Sequence, residues 1–152
     1  MRVVLQMAAV VALLAFAGGC VTANVTKVDG PKESERNKVV YHINAGNEQA
    51  TDGLRNANNH LTADPTAKIV FVTHANGIHF LLDGAKDKNG NSYDALVQDL
   101  VGKGVEFRLC RFTLERQKID PKRVIQEVKI VTSGVAEVSR LQSQEGFAYL
   151  KP

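Results

Sequence analysis

Ile69-Val70-Phe71-Val72-Thr73 is apolar on both faces of an extended chain. A strand wetted on one side would alternate polar with apolar residues, so this run predicts a strand covered on both sides, as in the middle of a parallel sheet. Its surroundings fit that reading. Upstream, Lys38–Ile43 (K-V-V-Y-H-I) reads as a first strand, and Ala50, Leu54, Ala57 and Leu61 then recur at helical spacing until Pro65 closes the segment. Downstream, a short apolar segment from Ile78 to Leu82 leads into the polar turn Asp87–Ser92. Tyr93, Leu96, Val97, Leu100 and Val101 mark one face of a helix that starts at Ser92 and ends at Gly102 and Gly104. A third strand runs from Val105 to Leu109. Asp120-Pro121 opens a short helix before a strand from Val128 to Val131. Ser133 then caps a helix to Gln144, with Gly146 behind it, and Phe147 to Leu150 makes a fifth strand. Strands alternating with helices predict an α/β fold, a three-layer α/β/α sandwich with a five-stranded, mainly parallel sheet.

The start of the chain has a different character. Arg2 is followed by no charge until Lys27, and Val3–Ala17 is nearly all Val, Leu and Ala, with small residues at its exit. That layout predicts a signal peptide over residues 1–19, since an apolar stretch of roughly 15 residues is short for a permanent span. Ala15-Phe16-Ala17 would release a chain beginning at Gly18, whereas Ala17-Gly18-Gly19-Cys20 resembles a bacterial lipobox with Ala17 in place of the usual leucine. The expectation is the lipoprotein: an exported, periplasmic protein held at the membrane through lipidated Cys20. Residues 20–37 are polar, with Asp29-Gly30-Pro31 in their middle, and read as a tether to a single domain over 38–152. The whole chain has 19 Lys and Arg against 16 Asp and Glu, and the basic residues are scattered, so no nucleic-acid partner is expected.

In parallel sheets, ligands gather beyond the carboxyl ends of the strands. Those ends carry Asn44–Asn47, His74–Asn76, Cys110 and Thr132–Gly134. Cys110 therefore stands where a site is expected, and with Cys20 lipidated it is the free thiol. Alternation puts Arg108 on the same face as Cys110, and Phe112-Thr113-Leu114 looks like the start of a helical turn with Thr113 available as a cap. A cation and a helix start would lower the thiol pKa modestly, leaving a thiol with partial access to solvent. A lone cysteine at that position is also what core packing produces, so the residues alone leave both readings open.

Other constellations offer less. C-x-x-C, G-x-G-x-x-G and Walker motifs are all missing, so dithiol redox chemistry and nucleotide binding have no motif behind them. His42 inside a strand and His60 on a helix read as structural or surface residues. His74 and His79 lie five residues apart, on different sides of a helix and without a third ligand, so neither a metal nor a cofactor is expected. Asp87–Asp94 opens like a calcium loop, but Ser92 replaces the turn glycine and Gln98 the bidentate glutamate, which leaves a solvated turn.

Four blocks carry a more specific signal: F-V-T-H-A-N-G-I-H-F-L-L (Phe71–Leu82), A-K-D-K-N-G-N-S-Y (Ala85–Tyr93), G-V-E-F-R-L-C-R-F-T-L (Gly104–Leu114) and I-V-T-S-G-V-A-E-V-S-R-L-Q-S-Q-E-G-F-A-Y-L (Ile130–Leu150). In this order and spacing the chain resembles the DsrE/DsrF-like family over about residues 38–151. The resemblance implies an α/β/α sandwich around a five-stranded parallel sheet, usually assembled into homo- or hetero-oligomers such as trimers and hexamers; for this chain a homo-oligomer is expected. In the family's sulfur-relay members, a cysteine at the end of the third strand accepts a sulfane sulfur as a persulfide and passes it to a partner protein; Cys110 occupies that position. This chain departs from them in its leader and in Arg111-Phe112, where many relatives carry asparagines.

Three functions follow as expectations. The first is a sulfur-trafficking protein, a persulfide carrier or sulfurtransferase with Cys110 as its reactive residue and a donor or acceptor protein as partner. The second is a non-catalytic oligomeric module binding a small ligand at the strand ends, through Asn44, His74, Asn76, Arg108, Thr113, Ser133 and Gly134. The third is a structural envelope protein in which Cys110 is core.

Overall fold

The computed structural model describes residues 36–152; the expected signal peptide, Cys20 and all but the last two residues of the tether lie outside the described residues. In chain order the elements are β1 (Lys38–Ile43), α1 (Asn47–Ala63), β2 (Lys68–Thr73), a 3₁₀ helix (Ala75–Leu81), α2 (Tyr93–Gly102), β3 (Glu106–Cys110), α3 (Arg111–Gln117), a 3₁₀ turn (Pro121–Arg123), β4 (Lys129–Val131), α4 (Gly134–Glu145) and β5 (Ala148–Leu150). The five strands form one sheet in the order β4-β3-β2-β1-β5. All four pairings are parallel, so the sheet is wholly rather than mainly parallel.

The doubly apolar run lies in the centre of the sheet. Ile69, Val70, Phe71, Val72 and Thr73 are all 0–1% exposed, and they divide by alternation between two cores. On one side, Tyr41, Ile43, Phe71, Phe107 and Leu109 pack against Leu54 and Ala57 of α1, Ile78 and Phe80 of the 3₁₀ helix, Val97 and Leu100 of α2 and Leu114 of α3. Tyr41, Phe71 and Phe107 stack across three adjacent strands with ring centroids 5.1 and 4.8 Å apart. On the other side, Val40, Val70 and Val72 meet Val138, Leu141 and Phe147, a smaller core under α4.

That second face is only partly apolar. Glu106 and Arg108 lie on it, and Arg108 is held between Glu106 and Glu137 while Arg140 of α4 bonds Glu137 and Glu145. Ion pairing, rather than apolar packing, covers β3 on this side. Among the described residues, no helix is long and apolar enough to cross a membrane.

Several boundaries differ from expectation: β4 and β5 each start one residue later, at Lys129 and Ala148, and α4 ends one residue later, at Glu145. β3 starts and ends one residue later, so Cys110 is its last residue and also the N-cap of α3. Thr113 thus falls inside the helix instead of capping it. The reason is in the pairing: Cys110 still lies opposite Val131 in the ladder, which extends the strand past Leu109. The apolar segment before the Asp87 turn belongs to a longer 3₁₀ helix. Gly77 permits it, because a Cβ there would stand 2.2 Å from the Ile43 carbonyl oxygen.

Candidate functional site

Cys110 leaves the sheet at its carboxyl edge and is 5% exposed. This corrects the partial solvent access expected from the sequence, and its cause is the approach of α4. A Cβ on Gly134 would lie 3.0 Å from the Thr73 carbonyl oxygen, 3.1 Å from His74 Cβ and 3.2 Å from Cys110 Cβ. Only a residue without a side chain lets the helix start press against β2 and β3 together. Burial pushes the Cys110 thiol up, but the Thr113 hydroxyl and the backbone N–H groups of Gly134, Thr113 and Phe112 bring it below the ordinary thiol value, while the thiol itself donates to the Thr132 carbonyl oxygen at 3.9 Å. The net effect is a buried thiol held below its ordinary value.

The loop after β2 is fixed against the same corner. Ala75 has φ +50°, a left-handed conformation uncommon for a residue with a side chain. Its N–H donates to Thr113 Oγ1 at 3.1 Å, and its carbonyl accepts from Gln117 Nε2 at 3.3 Å. Two side chains of α3 therefore hold the strained turn that sets His74 beside Cys110.

His74 belongs to a row that crosses the sheet edge. Its Nε2 lies 2.7 Å from His42 Nε2, and His42 Nδ1 lies 2.7 Å from the Tyr149 hydroxyl oxygen. His42 stands on β1 and Tyr149 on β5, and His74 directly follows β2; the three strands are neighbours in the sheet. Burial, followed by the charges of His74 and Lys151, pushes His42 down to about 4. Burial, followed by the charges of Arg116 and Lys151, also lowers His74. Both rings are therefore neutral at pH 7.

The expected site residues separate into two groups. His74, Thr113 and Gly134 converge on Cys110, and Ser133 caps α4 by accepting the Ala136 N–H at 3.3 Å. Asn44 contributes through its backbone N–H, which donates to Gln49 Oε1 at 2.8 Å, and Asn76 is exposed without a side-chain hydrogen bond among the described residues. Arg108 shares the face of Cys110 but not its chemistry: its guanidinium is committed to Glu106 and Glu137, and it is not among the groups that lower the thiol. The Thr113 hydroxyl and the backbone N–H groups take the part expected of it. The sequence points to His42 as a structural or surface residue and gives no signal for Tyr149, because their partners come from strands distant in sequence. Among the described residues, no group of three or more His, Cys, Asp or Glu could hold a metal ion. A polar cleft of about 640 Å³ at the start of α1, lined by Asn47, Asp52, Arg55 and Tyr93 among others, shares no residue with this corner.

The sequence model of the DsrE/DsrF-like family matches residues 37–152. The fold is similar to that of MTH1491, a protein of unknown function from Methanobacterium thermoautotrophicum, at 29% identity and a TM-score of 0.69, covering 76% of this chain and 99% of that one. It is also similar to the ychN protein of E. coli, at 18% identity and a TM-score of 0.63, covering 74% of this chain and 96% of that one, a likeness of fold alone. No curated protein matches the chain.

Proposed function

The chain belongs to the DsrE/DsrF-like family, and from that premise we propose that it carries a sulfane sulfur as a persulfide on Cys110. The observation that supports this most is the surroundings of the thiol: hydroxyl and backbone donors at the end of β3 favour the ionised form in spite of burial. A core-filling cysteine needs no such donors. In the transfer step, the Cys110 thiolate attacks the outer sulfur of a donor R–S–SH. The new S–S bond forms as the donor's S–S bond breaks, and the electron pair leaves on R–S⁻. Transfer to an acceptor thiolate repeats the exchange, so no external oxidant is needed.

The test is intact mass after incubation with glutathione persulfide. Wild type is expected to gain the mass of one sulfur atom, lost again on reduction, while Cys110→Ser gains none and keeps its fold. An unmodified wild type under conditions that load a free thiol contradicts the proposal.

The setting of this activity is proposed as well. The leader and Ala17–Cys20 support export and lipidation at Cys20, which would put the carrier on the periplasmic side of a membrane. Phe112, 53% exposed, and Val135, 63% exposed, open α3 and α4 beside Cys110 and favour self-association there. N-terminal mass analysis of the mature protein checks the first point; a start at Gly18 or a retained leader contradicts it.

A further inference from the structure

We infer that Tyr149, His42 and His74 form a proton wire that delivers a solvent proton to the thiolate leaving group of a sulfur donor attacked by Cys110. The inference rests on the carrier reading and adds to it the group that completes the transfer.

The wire is a side-chain row across the carboxyl ends of adjacent strands. Tyr149 of β5, 40% exposed, is the wet end. Two contacts of 2.7 Å lead through both nitrogens of His42 to His74 Nε2. His74 Nδ1 takes no hydrogen-bond partner among the described residues, and His74 Cβ and Cys110 Cβ both border the space a Gly134 side chain would fill. The part-buried His74 end of the row thus lies at the corner where Cys110 sits.

Two imidazole nitrogens at hydrogen-bond distance hold one proton between them; two would repel and none would leave no bond. Two tautomer sets satisfy the row. In one, Tyr149 O–H donates to His42 Nδ1, His42 Nε2–H donates to His74 Nε2, and His74 Nδ1 carries a proton free to leave. In the other, every proton has moved one place toward the sulfur end. Passing between them moves a proton along the whole row without forming an imidazolium, and solvent restores the Tyr149 proton. Burial keeps both rings neutral, and the charges facing the pair, each ring's histidine neighbour aside, are cations that add to it: Arg116 of α3 and Lys151 after β5.

This proton is not aimed at Cys110 itself, whose thiol Thr113 and three backbone N–H groups lower against the effect of burial. The group that needs one is the leaving thiolate. With glutathione persulfide, Cys110–S⁻ takes the outer sulfur and becomes Cys110–S–SH, glutathione leaves with the electron pair, and the His74 Nδ1 proton makes it the neutral thiol.

The test compares wild type with His42→Gln and Tyr149→Phe, using two donors. Glutathione persulfide leaves as a thiolate that wants a proton, whereas benzenethiosulfonate leaves as a sulfinate that does not. In either variant, loading of Cys110 from glutathione persulfide is expected to slow by at least about tenfold more than loading from benzenethiosulfonate, as loss of general-acid assistance requires. Equal slowing with both donors, or no slowing, overturns the wire and leaves the carrier reading intact. If neither donor loads wild-type Cys110, the carrier reading falls and the wire with it.

Discussion

The Thr113 hydroxyl joins two parts of the site, accepting the Ala75 N–H and donating toward Cys110. Thr113→Val keeps the shape and removes both bonds. It should cost about 1–3 kcal/mol by leaving a part-buried N–H unpaired, measured by urea unfolding, and should slow alkylation of Cys110 at neutral pH as the thiol pKa rises. Thr113→Ser should restore the alkylation rate. Arg108 predicts the opposite pattern. Its removal leaves Glu106 and Glu137 short of a partner, so Arg108→Ala should cost about 1–3 kcal/mol in the same unfolding measurement while the alkylation rate at neutral pH stays put. Alternation placed Arg108 on the correct face from sequence alone. It could not supply the partner, because Glu137 arrives from a helix 29 residues away.

At the scale of elements, the site depends on how closely α4 approaches the sheet. Gly134→Ala puts a methyl at 3.0–3.2 Å from one carbonyl oxygen and two Cβ atoms, all on rigid strand ends. About 1–3 kcal/mol of destabilisation is expected, together with faster alkylation of Cys110 as the helix start is lifted away; rates with iodoacetamide check the second effect. The edge of β1 adds a pH dependence. His42 falls from 6.5 in the unfolded chain to about 4 in the folded one, so the folded state binds this proton less tightly. Its contribution to stability is complete above pH 6.5, declines as the pH falls toward 4 and is lost below that. Urea midpoints should therefore drop over that window, and His42→Gln should flatten the slope. The strands and helices were readable because their period and caps are local: Ser133 and Gly146 bracket α4 in sequence as they do in the structure. The row from Tyr149 to His74 was not readable, since it depends on β5 lying beside β1, a neighbour relation that no local pattern encodes.

At the scale of the whole molecule, one sheet face carries several helices and the other only α4 with an ion-pair cluster; Tyr149 on the α4 face, Val135 on α4 itself, and Ile130 and Leu150 on the two edge strands are each 40–63% exposed. A second copy of the chain is the proposed cover for Phe112 and Val135. Light scattering at micromolar concentration should give a mass above the monomer, and Phe112→Ser with Val135→Ser should shift it toward the monomer; a monomeric wild type contradicts this proposal. Assembly would also narrow the approach to Cys110 and select small or matched donors. The central claim, that Cys110 is a working thiol and not core packing, is tested most directly by the pH dependence of its alkylation in the folded protein. The account predicts complete reaction without denaturant, with a midpoint below that of free cysteine, while the melting temperature of Cys110→Ser stays close to that of wild type. Resistance to alkylation until the protein unfolds, with a marked drop in the melting temperature of Cys110→Ser, would contradict it.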